Sequence, residues 1–221
     1  MKTKMPTEFF HPSTFMVAGP TQCGKTSFVI RLLRNADSLF SVPPKRIFWL
    51  YKDRRAAPVE ELAGLPISFV QGVDPDFKKR AFSGPDLPPT IVVIDDLMTD
   101  MANSKMLEEL FVEGSHHANA TVIYIVQNLF QRSPKHRTAA INSHYLALFN
   151  MPRDYSQVAR VGQQMRRKYF MAVYEDAINS RDHGYLLVDC RSDTDDRRRL
   201  RTGVLPGEES CIYGPPGLSS I

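Results

Sequence analysis

Cysteine is scarce in this 221-residue chain, and long apolar runs are missing. The three cysteines, Cys23, Cys190 and Cys211, are odd in number and scattered, which argues against a disulfide framework and against zinc-ligand spacing. The longest apolar runs, such as Ile91–Ile94 and Thr121–Val126, have the length of a strand. They fall far short of the roughly 20 residues a membrane-spanning helix needs. Residues 1–12 carry charges and prolines but no apolar stretch, so no secretory signal is expected. Neither sign of charge dominates: 28 Lys and Arg face 24 Asp and Glu, a net charge of +4. Such a weakly basic balance permits nucleic-acid contact without demanding it. With 43% hydrophobic residues spread evenly, the chain is too apolar for wholesale disorder. It is also long enough to bury a core without disulfide or metal staples. One domain in a reducing compartment is expected, neither secreted nor held in a membrane.

Apolar runs alternate with helical patterns, the signature of an α/β protein with a mainly parallel central sheet. Strands are expected near Thr14–Ala18, Arg46–Tyr51, Ile67–Gln71, Thr90–Ile94, Thr121–Val126, Tyr145–Phe149 and Tyr185–Asp189. Between them run helical stripes: Phe28, Val29, Leu32, Leu33 and Ala36; Leu107, Leu110 and Phe111; Val158, Val161 and Met165; and Phe170, Val173, Tyr174, Ala177 and Ile178. Asp154 and Gln157 read as a variant capping box. The expected organisation is a lead-in over 1–12, one domain over 13–206 and a mobile tail over 207–221.

The chemistry begins at Gly19-Pro20-Thr21-Gln22-Cys23-Gly24-Lys25-Thr26, a full G-x-x-x-x-G-K-[ST] phosphate loop. A strand leads in and an amphipathic helix leads out. Glycines let successive N–H groups turn toward phosphate oxygens, and the helix N-terminus adds the positive end of its dipole. In this reading Gly19 to Thr26, with Ser27, hold the phosphates of ATP, Lys25 reaches the β- and γ-phosphates, and the Thr26 hydroxyl binds Mg²⁺. Cys23 serves through its backbone.

A second motif, Ile91-Val92-Val93-Ile94-Asp95-Asp96, is a strand buried on both faces that ends in two acids. Asp95 is the expected Mg²⁺ ligand and Asp96 the base that orients and deprotonates an attacking water. About 70 residues separate the motifs, leaving room for a strand inserted between theirs. That spacing suits the RecA-like (ASCE) division of P-loop NTPases, with a three-layer fold, and suits small-molecule kinases less well. Gln127, closing the strand Val122–Val126, would sit beside the acids and contact the γ-phosphate or the water.

These residues together resemble the FtsK–HerA-type genome-packaging ATPases of double-stranded DNA viruses, in the branch of poxviruses, other large DNA viruses and Polinton- and adintovirus-like elements. The likeness is carried by the phosphate loop, Ile94-Asp95-Asp96, Gln127-Asn128-Leu129-Phe130, Arg137 to Tyr145, and Pro152-Arg153-Asp154. Near the end, Tyr185 to Asp189 and Arg199 to Gly203 add to it. It spans about residues 11 to 206. Many relatives carry Glu where Asp96 stands. The resemblance implies a ring homo-oligomer with ATP sites at subunit interfaces, pumping double-stranded DNA into a capsid through a capsid or portal-vertex protein, in the virion or the infected host cell. It also implies an arginine acting on the neighbouring subunit's γ-phosphate, for which Arg137, Arg153 and Arg166 are candidates. DNA contact should be to phosphates, since a pump must tolerate any sequence; Arg132 and Lys135, in the basic loop 131–137, are the first candidates. The runs 166–168 and 197–199 are alternatives, the second partly cancelled by Asp193, Asp195 and Asp196. The neighbours His116 and His117 diverge on a helix and read as structural. Two other readings stay open: a P-loop kinase acting on a nucleoside or small metabolite, and a nucleotide-switched assembly factor.

Overall fold

The computed structural model describes residues 9–74, 76–83, 86–97, 105–114, 119–130 and 134–215. Nine strands form one sheet in the order β3-β2-β4-β5-β1-β6-β7-β8-β9. They are β1 Thr14–Ala18, β2 Arg46–Tyr51, β3 Ile67–Gln71, β4 Thr90–Asp95, β5 Ala120–Val126, β6 Tyr145–Phe149, β7 Tyr185–Asp189, β8 Leu200–Thr202 and β9 Cys211–Tyr213. The first six in chain order are mutually parallel, and the last three close the sheet antiparallel. The central strands β1, β5 and β6 are buried at every position, as strands covered on both faces must be.

Alternation along the strands divides the core in two. Phe15, Val17, Trp49, Val93, Ile123 and Tyr145 face helices α1 (Lys25–Arg34) and α2 (Ala36–Leu39). Met16, Ile94, Val122, Tyr124, Leu148 and Leu186 face the other helices. Those are α3 (Phe77–Ala81), α4 (Lys105–Glu108, continued by a π-helical turn over Glu109–Gly114), α5 (Pro134–Ile141), α6 (Tyr155–Gln164) and α7 (Phe170–Asn179). The expected stripe residues Phe28, Val29, Leu32 and Leu33 are buried, as are Leu107, Leu110, Phe111, Phe170, Tyr174 and Ala177.

The strand that separates β1 from β4 is β5; it follows both in the chain rather than lying between their motifs. Three further features differ from the sequence reading. The segment expected as a mobile tail from Gly207 carries β9, which pairs with β8 through Thr202 opposite Cys211 and Leu200 opposite Tyr213. Glu208 within it forms ion pairs with Arg31 and Arg181. The lead-in contributes Phe9, fully buried against Phe15 and Tyr145. The capping box does not close in the expected way: Asp154 makes no side-chain cap bond. Instead the Gln157 amide donates to the Asp154 carboxylate, and its oxygen accepts from Phe130 N–H at 3.0 Å, tying the segment after β5 to α6. Among the described residues, no helix is long and apolar enough to cross a membrane.

Candidate functional site

The phosphate loop leaves β1 at the carboxyl edge of the parallel strands, where ligands of open α/β sheets gather. Gly19 N–H donates to Val126 O at 3.2 Å, anchoring the loop's base to β5. Gln22 (φ 65°) and Gly24 (φ 101°) take left-handed conformations, which curl the loop and let α1 start at Lys25. Both glycines are also sterically required. A Cβ on Gly19 would lie 2.6 Å from Cys23 Sγ and 2.8 Å from Phe149 Cβ, and one on Gly24 would lie 2.9 Å from His183 Cβ. The buried Lys25 ammonium donates to Gly19 O at 2.7 Å and Pro20 O at 2.6 Å, so its charge is held over the loop. Burial raises the Cys23 thiol pKa against the pull of Lys25, which keeps Cys23 a neutral loop residue. Thr26 is half-buried and Ser27 exposed in the first turn of α1.

The acids meet this loop from the far side of β5. Asp95 ends β4, opposite Ile125 of β5 and Tyr51 of β2. Burial, then the charge of neighbouring Asp96, pushes its pKa up to about 6. The Lys25 ammonium pulls the other way, as does the indole of Trp49, whose N–H lies buried without meeting hydrogen-bond geometry. The loop and the acids, with Lys25 and Asp95 70 residues apart in sequence, thus stand at the ends of the strands on either side of β5, at one sheet edge. Asp96 turns the chain away at φ 53° and is exposed, a conformation uncommon outside glycine and tolerated by Asp. Gln127, exposed, follows Val126 at the end of β5 and so leaves the sheet between the loop and the acids.

The arginines divide by place. Arg153 is exposed in the segment joining β6 to α6; β6 neighbours β1 in parallel, so Arg153 lies at the loop's own edge. Buried Tyr174 holds that segment, donating to Phe149 O at 2.8 Å and accepting from Met151 N–H at 3.0 Å. Arg137 is exposed on α5, and Arg166 (φ 55°) is exposed between α6 and α7. None of the three forms an ion pair with another described residue. Arg132, His116 and His117 lie outside the described residues, as does the side chain of Lys135. The two alternative basic runs are tied to acids and to each other: Arg197 pairs with Asp195 at 2.7 Å, and Asp196 pairs with both Arg199 at 2.8 Å and Arg167 at 2.6 Å.

Three residues beside the loop stand in no motif. His183 rests against Gly24, and Arg31 of α1 pairs with Glu208 at 2.7 Å. With Ser27 and Tyr185 they line a cleft of about 430 Å³ that opens next to the phosphate loop. The only sequence signal for them was the seven-residue spacing from Gly24 to Arg31 along one helix face.

No protein-family model matches the chain, and no curated protein matches it in sequence. Among solved structures, it is similar to the genome packaging NTPase B204 of Sulfolobus turreted icosahedral virus 2. In complex with AMP, that protein is 12% identical with a TM-score of 0.50, over 82% of this chain and 94% of B204. In complex with ATP-γS, it is 11% identical with the same TM-score, over 92% of this chain and 97% of B204. The cytoplasmic domain of EssC is also similar, at 15% identity and TM-score 0.50 over 94% of this chain but 41% of that one. At such identities the likeness is one of fold. The chain has the α/β, RecA-like fold of P-loop NTPases, which it shares with a viral genome-packaging NTPase and the cytoplasmic domain of EssC.

Proposed function

We propose that this chain is a Mg²⁺-dependent ATPase, one subunit of a ring that drives double-stranded DNA into a viral capsid. The observation that carries the ATPase reading is the convergence at one sheet edge of a complete phosphate loop and a carboxylate pair, separated by the single strand β5. Backbone N–H groups of the loop, turned inward by Gln22 and Gly24, bind the phosphates of ATP. Lys25, already positioned by two loop carbonyls, supplies the positive charge for the β- and γ-phosphates.

The residues fit a magnesium ion. The Thr26 hydroxyl and the Asp95 carboxylate are hard oxygen donors, and a cation bound there would offset the repulsion between the Asp95 and Asp96 carboxylates. When bound, Mg²⁺ supplies charge neutralisation along the phosphates. Asp96, exposed at the end of β4, accepts the proton of the attacking water as its oxygen bonds to the γ-phosphorus and the bond to the β–γ bridging oxygen breaks. Gln127 orients that water. One of Arg153, Arg137 and Arg166 serves the neighbouring subunit's γ-phosphate; exposure and the lack of an ion pair among the described residues suit all three, and Arg153 stands at the carboxyl edge beside the loop.

The DNA part of the reading is supported by the residue resemblance and by the fold shared with a genome-packaging NTPase. The capsid or portal-vertex protein as docking partner, and the virion or infected cell as location, follow from the same support. Its test is ATP hydrolysis measured with and without duplex DNA. Several-fold stimulation, independent of DNA sequence and suppressed by salt, is the expected result. Hydrolysis indifferent to DNA would remove the translocase reading and leave an ATPase with another partner, and stimulation by a nucleoside acceptor instead would make the chain a kinase.

A further inference from the structure

Trp49 is the chain's one tryptophan, and it is fully buried on β2. Its indole Nε1–H meets no acceptor among the described residues. Buried donors in native proteins are nearly always paired, so this one needs a reason. Three other buried polar atoms share the condition: Ser13 Oγ, His136 Nδ1 and Arg201 Nε. His136 and Arg201 each bond through another atom of the same side chain. Ser13 precedes β1, at the amino edge of the parallel strands, away from the phosphate loop. Of the four, Trp49 alone lies toward the carboxyl edge, and the indole has a single polar atom.

The sheet register says what stands beside it. Strands β2 and β4 are parallel, with Trp49 opposite Val93 and Tyr51 opposite Asp95. Ile91 and Val93 pack on the same side of the sheet as Trp49, and alternation carries Asp95 to that side too. Asp95 is therefore one strand across and two residues further on, about 8 Å away between backbones, a diagonal that an aromatic side chain can span. The other neighbours of Trp49 are apolar: Ile47 on its own strand, Phe69 opposite it on β3, and Val93. The protonation balance agrees with the register, since the indole favours the ionised form of Asp95 against burial and against Asp96.

We infer that Trp49 is a positioning residue for the magnesium site: its indole N–H donates to the Asp95 carboxylate and fixes the orientation in which that carboxylate meets Mg²⁺. The inference rests on the magnesium reading of Thr26 and Asp95 and adds a residue that stands in neither motif. An ionised carboxylate accepts at two oxygens, so one can serve a cation while the other takes a donor. A hydrogen bond to a charged acceptor is stronger than one between neutral groups, and partners behind a metal ligand raise the affinity of the site. An indole suits the task because it donates, cannot accept and does not titrate. It can hold the carboxylate without competing for the cation.

Because the chain has a single tryptophan, the indole can be altered and observed alone. Incorporating benzothienylalanine in place of tryptophan exchanges the N–H for sulfur and keeps the bicyclic shape, so packing is preserved; Trp49→Phe is the genetic counterpart. Calorimetry then measures the affinity for ATP-γS in EDTA, and the affinity of the ATP-γS-bound protein for MgCl2. Both altered proteins should keep the first and lose roughly tenfold in the second, the lower end of what a partner behind a metal ligand contributes. In wild type bound to ATP-γS, the lone indole N–H resonance should move downfield when MgCl2 is added. Wild-type magnesium affinity in the sulfur-substituted protein, an indole resonance unmoved by MgCl2, or an equal fall in ATP-γS affinity in EDTA would each overturn the inference and leave the magnesium reading intact. Wild type that takes up no MgCl2 beside ATP-γS would remove that reading, and the inference with it.

Discussion

The parallel strands β1 to β6 and the antiparallel flank β7 to β9 share one sheet but carry function in different ways. In the parallel part, each chemical group stands directly after the strand that delivers it: Gly19 after β1, Asp96 after β4, Gln127 after β5. Motif and position are one local stretch of sequence. In the flank the groups come together only by folding. Glu208 meets Arg31 across 177 positions of sequence, and His183 reaches Gly24 from the turn before β7. The phosphate end of the site is thus written locally and the cleft beside it is assembled from distant pieces.

The sharpest way to separate the two regions is through Asp96. Asp96→Asn should leave MgATP affinity within about threefold of wild type and lower turnover roughly 10²–10⁴-fold, the usual worth of a positioned base; single-turnover hydrolysis and equilibrium binding on the same protein check it. Turnover near that of wild type would move the base elsewhere on the edge.

A smaller effect should appear in the edge's electrostatics. Asp95 has its carboxyl pKa raised to about 6 from 3.8. The unfolded chain therefore releases this proton at lower pH than the folded one, and the Asp95 contribution to stability falls as pH rises from about 4 to 6, then levels off. At 1.36 kcal/mol per unit this amounts to roughly 2–3 kcal/mol. Denaturation in metal-free buffer at pH 4.5 and 7.0 should show that slope in wild type relative to Asp95→Asn; parallel curves would contradict it.

The smallest effect belongs to the flank. Glu208→Ala strips a buried carboxylate from Arg31, Arg181 and the Tyr185 hydroxyl, at a cost of about 1–3 kcal/mol in stability. Hydrolysis at saturating ATP should stay within about twofold of wild type. A loss of turnover as large as that of Asp96→Asn would erase the division between edge and flank.

The same division explains what could be read from sequence alone. The seven expected strands appear within a residue of their expected bounds because each is a continuous apolar run with polar ends. Strands β8 and β9 have three residues each, too few to show alternation, and β9 lies in a segment whose Gly and Pro residues suggested mobility. What orders that segment is Glu208 between two arginines, a partnership visible only in three dimensions. The Asp154–Gln157 spacing reads as a capping box, but in the fold the Gln157 amide oxygen accepts from Phe130 N–H, a partner 27 positions back. Sequence does not choose among Arg137, Arg153 and Arg166, because an arginine proposed to act on another subunit need leave no mark on its own strand.

The most direct test of the central claim compares wild type with Lys25→Ala in MgATP binding and steady-state hydrolysis under identical conditions. The account predicts measurable hydrolysis by wild type and none above background in the variant, with MgATP affinity reduced at least tenfold. Hydrolysis by Lys25→Ala at the wild-type rate would contradict the assignment of residues 19–26 as the phosphate site.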